Sequence, residues 1–94
     1  MKRLEFSDIQ KRLQDLSDWT IEKEKLHRTF TFKDFKEAFA FMTKVAEEAE
    51  SKNHHPEWFN VYNKVTVDLT THDANGITEK DFSLAKKMNE FANS

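Results

Sequence analysis

A single glycine, Gly76, and a single proline, Pro56, are all that punctuate this chain of 94 residues. Glycine and proline mark most turns and linkers, so their scarcity predicts regular elements joined by short connections. Pro56 also fixes one boundary by itself. Its ring cannot extend a helix, and it pushes the preceding His55 out of the α region into an extended conformation. A helix arriving from the N-terminal side must therefore stop ahead of His54-His55-Pro56.

Periodicity supplies the elements. Ser7 with Gln10 reads as a capping pair, and Ile9, Leu13 and Leu16 follow at helical spacing, predicting a short helix from Ser7 to Leu16. Trp19 to Glu22 and Leu26 to Phe32 alternate apolar and polar residues around Lys23-Glu24-Lys25, the pattern of an antiparallel hairpin. Asp34 with Glu37 is a second capping pattern. Behind it Phe35, Ala38, Phe39, Met42, Val45, Ala46 and Ala49 recur at three and four residues, predicting a long helix that ends near Lys52. Trp58 to Tyr62 and Val65 to Thr71 make a second hairpin about Asn63-Lys64. Asp73 to Gly76 is turn chemistry, and Thr78 with Asp81 caps a last helix marked by Phe82, Ala85, Met88 and Ala92. The order is α-β-β-α-β-β-α. Two hairpins merging into one four-stranded antiparallel sheet with helices on one face give a two-layer α+β sandwich, a single domain over residues 1–94.

Composition excludes several classes of function. With no cysteine there are no disulfides, thiolate metal sites or thiol nucleophiles, and a cytoplasmic protein, with or without a nuclear population, is expected. No run of 18 apolar residues occurs, and MKRLEFSDIQ has no apolar stretch behind its basic start, so neither a membrane span nor a signal peptide is expected. Fifteen basic and seventeen acidic residues are interspersed, which disfavours direct nucleic-acid binding because phosphate neutralisation needs a basic face. A domain this small buries only about 60 to 65% of the surface its unfolded chain exposes, so self-association would add stability, and an unpaired sheet edge offers a place for it.

The chemistry-bearing residues are histidines. His27 lies mid-strand, where a solvated or partly packed ring is the ordinary outcome, and it is given no role. His54 and His55 close the long helix, where an imidazolium also suits the negative end of the helix dipole. Side by side in an extended segment they point to opposite sides, so one ring can enter a pocket while the other lines its rim. His72, at the predicted end of the last strand, adds a third ring. Imidazoles exchange protons near neutrality, and an elimination of water needs both a proton donor and a proton acceptor in one turnover. The rival is a three-histidine zinc site, but adjacent His54 and His55 are poorly aimed at one ion and no His-x-His or His-x-x-x-His spacing occurs. No P-loop, GxGxxG or nucleophile elbow is present. Glu50, one helical turn before His54, is a candidate to orient it. Asp81 is either a capping residue or a support for the site, and Trp19, Trp58, Phe59 and Tyr62 could stack on a flat ligand, although aromatics at strand spacing are commonly core.

Glu50-x-x-x-His54-His55-Pro56, then Tyr62, His72 and Asp81, resembles the signature of the pterin-4a-carbinolamine dehydratases. Phe32-Lys33-Asp34-Phe35, Ala40-Phe41-Met42-Thr43 and the run from His54 to Val65 are similar to the animal-type members, so the likeness spans nearly the whole chain. The resemblance implies the same α-β-β-α-β-β-α fold, assembled as a dimer or a tetramer. It implies dehydration of 4a-hydroxytetrahydropterin to quinonoid dihydropterin, in the recycling of tetrahydrobiopterin, with neither metal nor cofactor. It makes His54, His55 and His72 the catalytic imidazoles, sets Asn53, Thr70, Thr71 and Asp73 around the pterin, and leaves Glu50 and Asp81 in support. Asn53 stands where animal members carry an aspartate. The family also implies a second occupation, as dimerisation cofactor of a homeodomain transcription factor, through the helical surface formed mainly by residues 34–52.

Overall fold

The computed structural model describes residues 2–93. Both hairpins close through two-residue loops. Between β1 (Thr20–Glu22) and β2 (Lys25–Thr31), Lys23 and Glu24 both take positive φ, 52° and 64°, the backbone twist that suits a right-twisted strand pair. Between β3 (Glu57–Val61) and β4 (Lys64–Leu69) the loop is Tyr62-Asn63, one residue earlier than the sequence suggested. β2 and β4 pair antiparallel from Leu26↔Leu69 to Thr31↔Lys64, so the two hairpins join into one sheet of order β1-β2-β4-β3 with β1 and β3 at its edges.

Alternation decides which face is covered. Leu26, Phe30, Val65, Val67 and Leu69 are buried under the helices, each worth about 1.5 to 3 kcal/mol of apolar burial. Phe59 and Val61 occupy the opposite parity in β3 and are exposed, so it is Trp58, opposite Val67, that packs against the core. Of the aromatics weighed as a stacking surface, Trp19 is buried, Trp58 half-buried, and Phe59 and Tyr62 exposed.

The helices are α1 (Phe6–Leu13), α2 (Phe35–Ser51) and α3 (Glu79–Ala92). α1 is shorter than its periodicity implied, and Glu5 rather than Ser7 occupies the N-cap without a side-chain bond. Leu16 is buried all the same, from the loop that follows. α2 starts as expected, with Asp34 accepting from the Glu37 amide at 2.9 Å. Its core stripe is Ala38, Phe41, Val45 and Ala49, whereas Phe35, Phe39 and Ala46 of the expected stripe face outward. Apolar residues lie nearly all round this helix, and the sheet could accept only one face of it. α3 carries the predicted capping box, Thr78 with Asp81, and buries Phe82, Leu84, Ala85 and Met88. Among the described residues no helix is long and apolar enough to cross a membrane.

A polar knot ties the sheet to α3. The Asn89 carbonyl accepts from Trp19 Nε1 at 2.8 Å and from Arg28 at 2.5 Å, while the Asn89 amide donates to the Ser17 carbonyl at 3.2 Å. Arg28 lies 4.0 Å over the Phe30 ring, and desolvation lowers its pKa below the ordinary arginine value.

Candidate active site

The end of α2 sets the site. Lys52 is its C-cap, Asn53 follows with φ 50°, the Asn53 amide donates to the Glu50 carbonyl at 3.1 Å and the His54 amide to the Ala49 carbonyl at 3.0 Å. This pair of bonds is a Schellman closure, and asparagine is among the few non-glycine residues that take the left-handed conformation it needs. Asn53 thus has a backbone reason to be asparagine. The reversal it produces, followed by the extended conformation ahead of Pro56, sends the next two side chains to opposite sides.

His54 turns inward and is only 8% exposed. Its Nε2 lies 2.6 Å from Asp81 Oδ1, and Asp81 itself is fully buried. The other carboxylate oxygen accepts from the Thr78 amide and the Thr71 hydroxyl, both at 2.9 Å. Since Thr71 donates there, its 2.8 Å contact with the Thr78 hydroxyl runs the other way, from Thr78 to Thr71. Capping box and histidine support, set as alternatives for Asp81 from sequence, are both made by the one carboxylate.

His55 turns outward, and its Nε2 is 2.8 Å from Glu50 Oε1. Glu50, expected to orient His54, pairs with His55 instead, because the Schellman turn carries residue 54 into the interior and leaves residue 55 over the last turn of α2. His72 does not sit on a strand. β4 stops at Leu69, and His72 opens a 3-10 turn, His72–Ala74, with its side chain 83% exposed and Nε2 3.5 Å from Glu57 Oε2. The loop is pinned where Thr71 and Gly76 exchange backbone bonds of 2.9 and 3.3 Å. The Arg3 side chain packs against Gly76, where a Cβ would displace it.

Two contacts therefore hold the 54–57 segment against residues 71–72: His54 and Thr71 share Asp81, and Glu57 meets His72. Of the remaining expected site residues, Asn53 and Asp73 are exposed, Thr70 is half-buried, and Thr71 is buried with its hydroxyl engaged by Asp81 and Thr78. Sequence reasoning missed Thr78 as a neighbour of the site and Glu57 as the partner of His72. The capping pattern pointed to the first, and nothing in sequence spacing pointed to the second.

A small pocket of about 100 Å³ opens on His54, lined also by Glu48, Lys52, Lys80, Ser83 and Leu84. His55 and His72 lie outside that lining. Against an ionised Asp81, which can only accept, His54 Nε2 is the donor of this bond. Among the described residues no group of three or more His, Cys, Asp or Glu side chains is placed to hold a metal ion.

Residues 2–91 match the sequence model of the pterin 4 alpha carbinolamine dehydratase family. A relative named for pterin-4-alpha-carbinolamine dehydratase in Solibacter usitatus is 58% identical over 90 residues, covering 96% of this chain and 95% of that one. Another, from Christiangramia forsetii, is 46% identical over 94 residues, covering 100% and 97%. The crystal structure of a transcriptional coactivator/pterin dehydratase from Brucella melitensis superposes with a TM-score of 0.95 at 47% identity, covering 97% of this chain and 99% of that one. Family model, relatives and fold agree, and the chain belongs to the pterin-4-alpha-carbinolamine dehydratase family.

Proposed function

We propose that this protein dehydrates 4a-hydroxytetrahydropterin to quinonoid dihydropterin and water, as a metal-free acid-base catalyst that recycles an oxidised pterin cofactor. The observation that carries the reading is the buried His54–Asp81 pair beside a pocket, tied through the Thr71 hydroxyl to the segment bearing His72. In the reaction N5 gives up its proton, its electron pair forms the C4a=N5 bond, and the C4a hydroxyl leaves with a proton as water. With Nε2 donating to Asp81, a neutral His54 carries its lone pair at Nδ1, which suits it to take the N5 proton. His55 and His72 each stand beside a carboxylate, Glu50 at 2.8 Å and Glu57 at 3.5 Å, and either ring is suited to protonate the departing hydroxyl. Asn53, Thr70 and Asp73 border the same ground and line the pterin, while Thr71 acts through Asp81.

A stopped-flow assay with synthetic 4a-hydroxytetrahydropterin tests reaction and substrate together. His54→Ala or His72→Ala lowers turnover at least about tenfold, the low side of what a positioned proton-transfer group supplies. Circular dichroism on both variants separates lost chemistry from lost fold, and wild-type turnover in a folded variant refutes the assignment. Exhaustive chelation leaves activity unchanged; loss restored by zinc would return the metal reading.

Self-association to a dimer or tetramer belongs to this proposal, supported by the open edges β1 and β3 and by Phe35 and Phe39, exposed on α2 with their rings 5.7 Å apart. The same pair supports a second reading, coactivation by binding the dimerisation helices of a homeodomain transcription factor; the Brucella protein is named a transcriptional coactivator as well as a pterin dehydratase. A helical dimerisation peptide that leaves the sedimentation profile unchanged at high concentration would argue against it.

A further inference from the structure

The sheet face turned away from the helices carries a charged row that leads to Glu57, the carboxylate beside His72. His27, Asp68 and Glu57 lie opposite one another on β2, β4 and β3. His27 Nδ1 is 2.8 Å from Asp68 Oδ1, and its Nε2 is 3.7 Å from Glu22. Lys25, two residues before His27 and on the same face, donates to Glu57 Oε1 at 2.6 Å, which leaves Oε2 facing His72 Nε2 at 3.5 Å. Acidic and basic side chains alternate along the path from Glu22 through His27, Asp68, Lys25 and Glu57 to His72.

We propose that Glu57, braced by Lys25, is a positioning residue for His72. The inference rests on the reading of His72 as a participant in the dehydration. His72 stands on a short 3-10 turn with most of its ring in solvent, so its rotamer is not set by packing. Glu57 is anchored differently. Its backbone belongs to the sheet, and Lys25 occupies one of its oxygens, so the remaining oxygen has a defined place from which to hold the ring. The Lys25 ammonium is held above the ordinary lysine pKa first by this bond to Glu57, against some desolvation, with the charges of Glu57 and Asp68 adding to it. That fits a brace that stays charged wherever the enzyme works. Directing His72 toward the rim beside the 54–57 segment shortens the search for the geometry of proton transfer.

The test is a double-mutant cycle read by stopped flow, on variants whose melting temperatures are recorded alongside. Glu57→Gln lowers kcat by about two- to fivefold, the worth of an exposed ion pair, with KM nearly unchanged. In a His72→Ala background Glu57→Gln produces no further loss, because the group it acts through is gone. Lys25→Met lowers kcat in the same direction and adds nothing once Glu57 is glutamine. A Glu57→Gln enzyme with wild-type kcat overturns the inference, as does a loss that persists undiminished on His72→Ala, which a merely structural role would give. Wild-type turnover in His72→Ala itself overturns the role of His72 in the reaction and this inference with it.

Discussion

Asp81→Asn is the substitution that separates the chemistry of the buried pair from its packing. The side chain keeps its shape, and Asp81 is fully buried. In the native protein one carboxylate oxygen takes the His54 Nε2 proton at 2.6 Å while the other takes the Thr78 amide and the Thr71 hydroxyl at 2.9 Å. Asparagine has only one acceptor oxygen. Two fixed donors face one side and a single ring faces the other, so the carbonyl settles toward Thr78 and Thr71 and the amide nitrogen toward His54. His54 Nε2 must then accept, and the ring proton moves to Nδ1, the nitrogen that the reaction needs free. Loss of one charge-assisted bond costs about 1.5 to 3 kcal/mol of stability, or at least about 6 °C in a domain of this size. Turnover should fall further than that, by about 10²- to 10⁴-fold at equal folded fraction, equivalent to about 3 to 5 kcal/mol of barrier. Long-range ¹⁵N–¹H spectra of the imidazoles read the tautomer directly: Nε2–H in the wild type, Nδ1–H in Asp81→Asn. The same tautomer in both proteins, or turnover within about threefold of wild type, would refute the reasoning.

Asp34→Ala removes the cap of α2 and should cost about 1 kcal/mol in chemical denaturation without altering kcat, since the cap lies at the far end of the helix from His54. A kcat loss there would mean that the helix start communicates with the site. Phe39→Glu should convert any assembly built on the α2 face to a lighter species in sedimentation, whereas an unchanged mass would move the interface to a sheet edge.

The element order and the capping patterns at Asp34 and Thr78 were legible in the sequence because they depend on neighbours three or four residues apart. The same reasoning misjudged α2, where Phe35 and Phe39 entered the expected stripe but face outward while Phe41 is buried. Periodicity offered more apolar positions than one face can hold, and only the sheet beneath the helix selects among them. It also misjudged Ser7, whose capping pattern lies one residue inside a helix that Glu5 begins. At the site, Glu50 was a candidate to orient His54 on helical spacing, yet the left-handed turn at Asn53 breaks that spacing before the histidine is reached.

The sequence by itself determined that the long helix ends ahead of His54, that residues 54 and 55 diverge, and that Thr78 and Asp81 begin α3, since each follows from local steric and hydrogen-bonding rules. Only the tertiary structure decided that Asp81 reaches back 27 positions to His54 and that Glu57 meets His72. Those contacts depend on where α2, α3 and the sheet edge come to rest against one core, a quantity that no local pattern of residues encodes.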